Sequence, residues 1–163
     1  MTFSIRSATK KDVTLLAALI RNSFRDVAER FGLTSDNCPT HPSNCTADWT
    51  EKALEKGITY YILEMDGMPC GCAALEHISQ KVYYLERLAV LPQFRRQGYG
   101  EALVNHLCGE AKKLGARHVE IGTIAEHAEL NEWYEKLGFR QKNTAEFEHL
   151  PFRVAFLSKK VTV

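Results

Sequence analysis

Apolar residues early in the chain recur at three- and four-residue steps. Val13, Leu16, Ala17, Ile20, Phe24 and Val27 form one stripe, the spacing of an amphipathic helix. Thr9-x-x-Asp12 ahead of it has the form of a capping box, and Gly32 predicts its end. Thr34 to Thr46, with two prolines, two asparagines, two serines and His41, reads as a long loop. A short helix is predicted over Ala47 to Lys56, stopped by Gly57. The pattern then turns strand-like. Ile58 to Met65 is rich in Tyr and Ile, and Asp66-Gly67 is a hairpin turn into a strand from Pro69 to Glu76. A third run, Val82 to Leu91, stops at Pro92, which cannot donate to a ladder. Helical spacing returns from Gly98 to Leu114, with Leu103, Leu107, Ala111 and Leu114 on one side and Gly115 at the end. His118 to Ile124 is another strand, Leu130, Trp133, Tyr134 and Leu137 mark a fourth helix closed by Gly138, and Phe139 to Glu146 with Phe152 to Lys159 suggest a final antiparallel pair. The order β-α-α-β-β-β-α-β-α-β-β predicts an α/β fold, a mixed sheet flanked by helices in a single domain over residues 1–163. The Val82 strand, Gly98 helix and His118 strand should make a right-handed parallel crossover.

Composition narrows the function classes. With 45% hydrophobic residues in 163, the chain can bury one sizeable core. Lys and Arg number 21 against 20 Asp and Glu, a net charge of +1. That balance gives no electrostatic case for nucleic-acid or anionic-membrane partners, so any phosphate site must be local. Leu15 to Ile20, the densest apolar run, is too short to span a bilayer, and the start is too polar for a signal peptide. Five cysteines (Cys38, Cys45, Cys70, Cys72 and Cys108) without a secretion signal predict reduced thiols in a cytoplasm.

The densest chemistry lies in Leu88-Ala-Val-Leu-Pro-Gln-Phe-Arg-Arg-Gln-Gly-Tyr-Gly, ending at Gly100. A strand stops at proline, a basic loop follows, and two glycines open a helix. Unpaired N–H groups at a helix start and the helix dipole favour a phosphate or pyrophosphate. Gly98 and Gly100 let a bulky anion approach the backbone, and Arg95 and Arg96 add positive charge. The dinucleotide fingerprint fails because its first glycine should follow the strand directly, and the P-loop fails for want of Gly-Lys-Ser/Thr. An ordinary strand–turn–helix with charged loop residues is the remaining alternative.

Arg95-x-x-Gly98-x-Gly100, preceded by Leu88-Ala-Val-Leu-Pro, resembles the acyl-CoA signature Q/R-x-x-G-x-G/A of the GNAT superfamily of N-acyltransferases. Trp133-Tyr134-Glu-Lys-Leu-Gly138-Phe139 is similar to that family's L-Y-x-K-x-G-F segment, in the right order and at the right separation. The resemblance implies an acetyl-CoA-dependent N-acetyltransferase acting on a small amine or a peptide. It implies that backbone groups of Leu88, Ala89 and Val90 pair with the pantetheine arm like an added strand. Backbone N–H groups from Arg96 through Gln97, Gly98 and Tyr99 to Gly100 would hold the pyrophosphate. The N–H of Leu88 or a near neighbour would stabilise the oxyanion of the tetrahedral intermediate.

By the same resemblance, Tyr134 is the acid that protonates the departing thiolate; by periodicity alone it is an aromatic on an apolar helix face. Glu86 is the first candidate for the general base, with Glu76 and His77 behind it, and strand alternation would set Glu86 on the face of Tyr84 and Leu88. Its ordinary alternative is a salt-bridged glutamate beside Arg87. The family often has asparagine seven residues before the tyrosine; here that residue is His127, and either it or Asn131 would supply the polar contact to the pantetheine. No cysteine is placed as an acyl carrier, which implies direct attack in a ternary complex. The loop from Phe31 to Asn44 would border the acceptor, and Phe139 to Lys159 would supply the contacts of a homodimer. The rival readings are a non-catalytic acyl-CoA-binding or sensing domain and an acyltransferase acting on a protein lysine or N-terminus.

Cys38-x-x-His41-x-x-x-Cys45 suggests zinc, but three ligands at a spacing unlike any standard finger favour an ordinary loop and no metal. Cys70-x-Cys72 lacks the two-residue spacer of a redox pair, and Cys108 fits core packing.

Overall fold

A computed structural model describes residues 2–162. The strands are β1 (Phe3–Ser7), β2 (Thr59–Met65), β3 (Met68–Ser79), β4 (Val82–Val90), β5 (His118–Ile124), β6 (Arg140–Glu146) and β7 (Arg153–Lys160). The helices are α1 (Val13–Arg30), α2 (Ala47–Glu55), α3 (Tyr99–Lys113) and α4 (Ala128–Lys136). The seven strands form one sheet in the order β1-β2-β3-β4-β5-β7-β6. Only β4 and β5 run parallel, joined through α3 as the crossover pattern predicts. The capping box forms as expected: Thr9 and Asp12 close a single 3-10 turn that leads into α1.

Each face of the sheet buries a separate core. The apolar stripe of α1 sets Leu16 and Ile20 against Tyr60, Ile62, Cys72 and Ala89. On the other face, Leu103, Val104 and Leu107 of α3 pack on Leu75, Leu85 and Ile121, with Tyr134 and Phe139 beside them. Leu103, Leu107 and Phe139 are fully buried, each contributing roughly 1.5–3 kcal/mol through removal from water. These cores set α1 and α4 on opposite faces of the sheet near its middle, where β4 meets β5. No helix among the described residues is long and apolar enough to cross a membrane.

The loop after α1 divides its two cysteines. Cys38 packs with Ala28, Leu33 and Ile124, whereas Cys45 joins the α1–α2 core. His41 accepts from the Ser43 amide through Nδ1, and Asn44 donates to the Cys38 carbonyl. Among the described residues no three His, Cys, Asp or Glu side chains are grouped to hold a metal ion.

Candidate active site

A bulge in β4 shapes the site. Cys72 pairs with Ala89 and Ala74 with Glu86, so two steps along β3 face three along β4. Arg87 absorbs the extra residue at φ +54°, a left-handed conformation that costs a residue with a Cβ about 1–2 kcal/mol. Directly opposed residues share a face of the sheet, and Ala74 and Cys72 both belong to the α1–α2 core. Glu86 therefore faces the same way as Ala89, three residues on. Leu88 packs into the α3–α4 core instead. The expected alternation, with Glu86 and Leu88 on one face, is corrected by this extra residue, which reverses the phase of the strand.

Past Tyr84 the sheet forks. Val82, Tyr83 and Tyr84 pair with His118, Val119 and Glu120, and the β4–β5 ladder ends there. Two cavities open at the fork. One, a groove of about 580 Å³, runs along Leu88, Ala89 and Val90 to the turn before α3 and is closed by His127 and Trp133. The other, about 460 Å³, holds Glu86, Arg87 and Tyr134 among aromatic side chains. Phe24, Val27, Leu88, His127 and Leu130 line both, so the two spaces adjoin.

The groove lies between the Leu88–Val90 edge of β4, the start of α3 and residues of α1 and α4. Gly98 caps α3 in the left-handed conformation at φ +85°, and no side chain caps the helix. The first N–H groups of α3 are left without intrahelical partners, at the end of the groove lined by Arg96, Gly98, Tyr99 and Gly100. A Cβ on Gly100 would stand 3.2 Å from the Trp133 ring, so this glycine admits Trp133 of α4 rather than leaving open space for an anion. Gln97 is exposed beside the turn and does not line the groove.

Other predicted side chains already have partners within the protein. The Arg95 guanidinium donates from Nε to the Val90 carbonyl at 3.0 Å, to the Ser23 carbonyl at 2.6 Å and to Asp26. It thereby ties β4, the turn and α1 together. Tyr99 is buried with its hydroxyl on Met65 Sδ. The Asn131 side chain accepts from the Thr123 hydroxyl and donates to the Ala125 carbonyl at 3.1 Å, which fixes α4 to the end of β5. His127 caps α4, its Nδ1 accepting from the Leu130 amide. Burial, with the nearby Arg30 charge, holds its pKa below the usual histidine value.

Charge in the second cavity is unusual. Burial, reinforced by the Glu76 carboxylate, pushes Glu86 up to about 7. Tyr134 is 5% exposed, edge-on to the Trp133 and Phe139 rings, and burial raises its phenol, which stays protonated at neutral pH. His41 falls to about 4, through burial and then the Arg87 charge, and is neutral. Further wall comes from residues 121–124 of β5, from Phe147, His149, Leu150 and Phe152 in the β6–β7 connection and from Val154 and Phe156 of β7. His41 and Pro42 represent the loop expected to border the acceptor. Sequence reasoning missed the β6–β7 contribution; its only signal is Phe147, Leu150 and Phe152 standing in an otherwise polar turn.

Residues 21–139 match the model of the acetyltransferase (GNAT) family. The chain belongs to this family. An uncharacterized N-acetyltransferase of Methanocaldococcus jannaschii is 29% identical over 149 residues, covering 86% of this chain and 62% of that protein. An amino-acid acetyltransferase of Neisseria meningitidis is 31% identical over 150 residues, 91% of this chain and 29% of that protein. The crystal structure of N-acetylglutamate synthase from Neisseria gonorrhoeae, complexed with coenzyme A and N-acetyl-glutamate, gives a TM-score of 0.71 at 26% identity, covering 100% of this chain and 36% of that one. The chain thus spans less than two thirds of these GNAT relatives. Its sheet, crossover and helix placement are those of a GNAT acetyltransferase.

Proposed function

We propose that the chain is an acetyl-CoA-dependent N-acetyltransferase that acetylates a primary amine of a small molecule or peptide by direct attack in a ternary complex. The observation that carries this reading is the meeting of two cavities at the β4–β5 fork. One runs along the β4 edge to a helix start without a side-chain cap, the other holds a buried carboxyl and a buried phenol. These residues fit the cofactor. Leu88, Ala89 and Val90 would hold its pantetheine arm, the amides from Arg96 to Gly100 its pyrophosphate, and His127 lies where the arm would pass. Acetyl-CoA supplies the acyl group as a thioester.

Glu86 takes the proton that the amine loses, directly or through water, as nitrogen bonds to the acyl carbon. A carboxyl poised near neutrality suits that work. Backbone N–H groups beside the bulge polarise the acyl oxygen. Tyr134 gives its phenolic proton to the sulfur as the carbon–sulfur bond breaks. All five cysteines are free and buried, which supports a reduced, cytoplasmic setting and argues against an acyl-cysteine carrier. The exposed outer strand β6 is the natural homodimer edge.

Calorimetric titration with acetyl-CoA, with NAD and ATP as controls, tests the reading, followed by thiol release in the presence of amines. One-site binding to acetyl-CoA alone and amine-dependent release of thiol are expected. Binding without release for any amine would indicate a sensing domain instead.

A further inference from the structure

Resting on that reading, we infer that the acceptor is a free α-amino acid with a large apolar side chain, its carboxylate held by Arg87. In a regular strand, consecutive residues point to opposite faces, and Glu86 and Arg87 could not serve one ligand. The bulge changes that. Arg87, at its positive φ, lines the same cavity as Glu86, with its guanidinium carbon 6.0 Å from the Trp49 ring centroid in α2. A non-glycine residue held in this conformation calls for a use that regular pairing would not provide.

Arg87 is half-buried, yet it enters none of the ion pairs among the described residues. Arg6, Arg30 and Arg95 are paired with carboxylates, and the half-buried Arg21, which has no ion pair, donates to the Cys45 carbonyl instead. The Arg87 guanidinium has neither kind of partner among the described residues. Its neighbour His41 is neutral and carries no counter-charge. A half-buried guanidinium fork without a carboxylate is a ready site for one. Among the described residues that line the cavity, Arg87 is the only Arg or Lys and Glu86 the only acidic one. One cation beside one acid matches the two charges of a zwitterion, carboxylate on Arg87 and amine at Glu86.

The rest of the wall sets the side chain. Phe24, Tyr84, Phe147, Phe152, Val154 and Phe156 surround the pair, and the cavity's 460 Å³ lies within the range of small-ligand sites. A polyamine would need more carboxylates than the one present. A peptide N-terminus would bring a neutral amide to Arg87 and leave it unpaired.

The test compares L-phenylalanine, L-leucine and L-methionine with L-phenylalanine amide and phenethylamine, by initial rates with acetyl-CoA and by calorimetric binding without it. The amino acids should exceed the amide in kcat/KM by about tenfold or more, the scale of a charge-assisted pair, although the less basic amine of the amide favours its intrinsic reactivity. R87N, which keeps a residue tolerant of the left-handed backbone, should bring the phenylalanine-to-amide ratio within about twofold, and R87K should retain part of it. Equal or better use of the amide or phenethylamine would overturn the inference while leaving acetyl transfer intact. If acetyl-CoA is not bound, acetyl transfer falls, and the binding arm still decides. Binding of L-phenylalanine lost in R87N upholds the Arg87 site, and no binding by the wild type overturns it.

Discussion

The two cavities at the β4–β5 fork are built by opposite means. In the proposed reading the groove along Leu88–Val90 meets its ligand through main-chain groups of β4 and the start of α3, beside a turn whose arginine is held by Val90, Ser23 and Asp26. The neighbouring cavity uses side chains from β4, α1, α4, β7 and the β6–β7 connection. A backbone-built site depends on chain path and tolerates side-chain change; a side-chain-built site can be retuned one residue at a time. That contrast fits a donor half shared across a family and an acceptor half particular to each member.

The sharpest test is Tyr134→Phe. Turnover should fall about 10²–10⁴-fold, the range for losing a positioned proton donor, while the acetyl-CoA Kd stays within about threefold, because the contacts proposed for the groove are main-chain ones. Unchanged turnover would remove the acid role. A large loss of donor affinity would show that the two cavities are not independent.

Glu86→Gln comes next, at about 10²-fold in kcat/KM above neutral pH. Glu86 titrates near 7, so the wild-type rate should drop as pH falls through neutrality and the variant should lose that limb. Stability should move the other way. The raised pKa means that the folded protein binds more protons than the unfolded chain between the ordinary carboxylate value and about 7. Stability is therefore lost as pH rises across that window. Removing the charge should raise Tm at pH 8 by roughly a few degrees, measurable by calorimetry. A variant both slower and less stable at that pH would contradict the buried, strained carboxylate.

Arg95→Ala breaks the contrast from the other side, since it is a side chain on which the backbone-built half depends. With its links to Val90, Ser23 and Asp26 gone, the turn before α3 loses its anchor. The acetyl-CoA Kd should rise about tenfold with acceptor KM little changed, whereas Arg96→Ala, at an exposed position, should cost less. Equal losses at the two positions would mean that Arg95 acts by charge alone.

What the sequence made legible follows the same division. The motif at the groove's end is contiguous: proline stop, paired arginines and two glycines lie within a dozen residues, and their spacing is itself the signal. The second cavity gathers Phe24, Glu86, Tyr134 and Phe156 from distant stretches, and no spacing joins them. The family resemblance implies a bulge in this strand, but the residues do not show it: its strained residue is an arginine rather than a glycine, and nothing in Leu85-Glu86-Arg87-Leu88 marks an extra residue. Side-chain direction was equally hidden. Asp26, the partner that turns Arg95 inward, stands 69 residues earlier in the chain.

Asn131 shows how a motif position can be right about place and silent about role. It lies one helical turn before Tyr134, where a contact to the cofactor arm is the natural expectation, yet its amide is taken up by Thr123, Ile124 and Ala125. Those bonds set the height of α4 over the fork, so Asn131 positions Tyr134. Asn131→Ala should cost about 1–3 kcal/mol of stability, the scale of buried polar groups left unpaired, and lower kcat no more than severalfold while leaving the acetyl-CoA Kd within about twofold. Asn131→Asp keeps the acceptor toward Thr123 but not the donor toward Ala125, and should fall between the two. If Asn131→Ala instead weakened acetyl-CoA binding tenfold with stability intact, the side chain would have to leave its anchors to meet the cofactor, and the contacts proposed for the groove would no longer be main-chain ones.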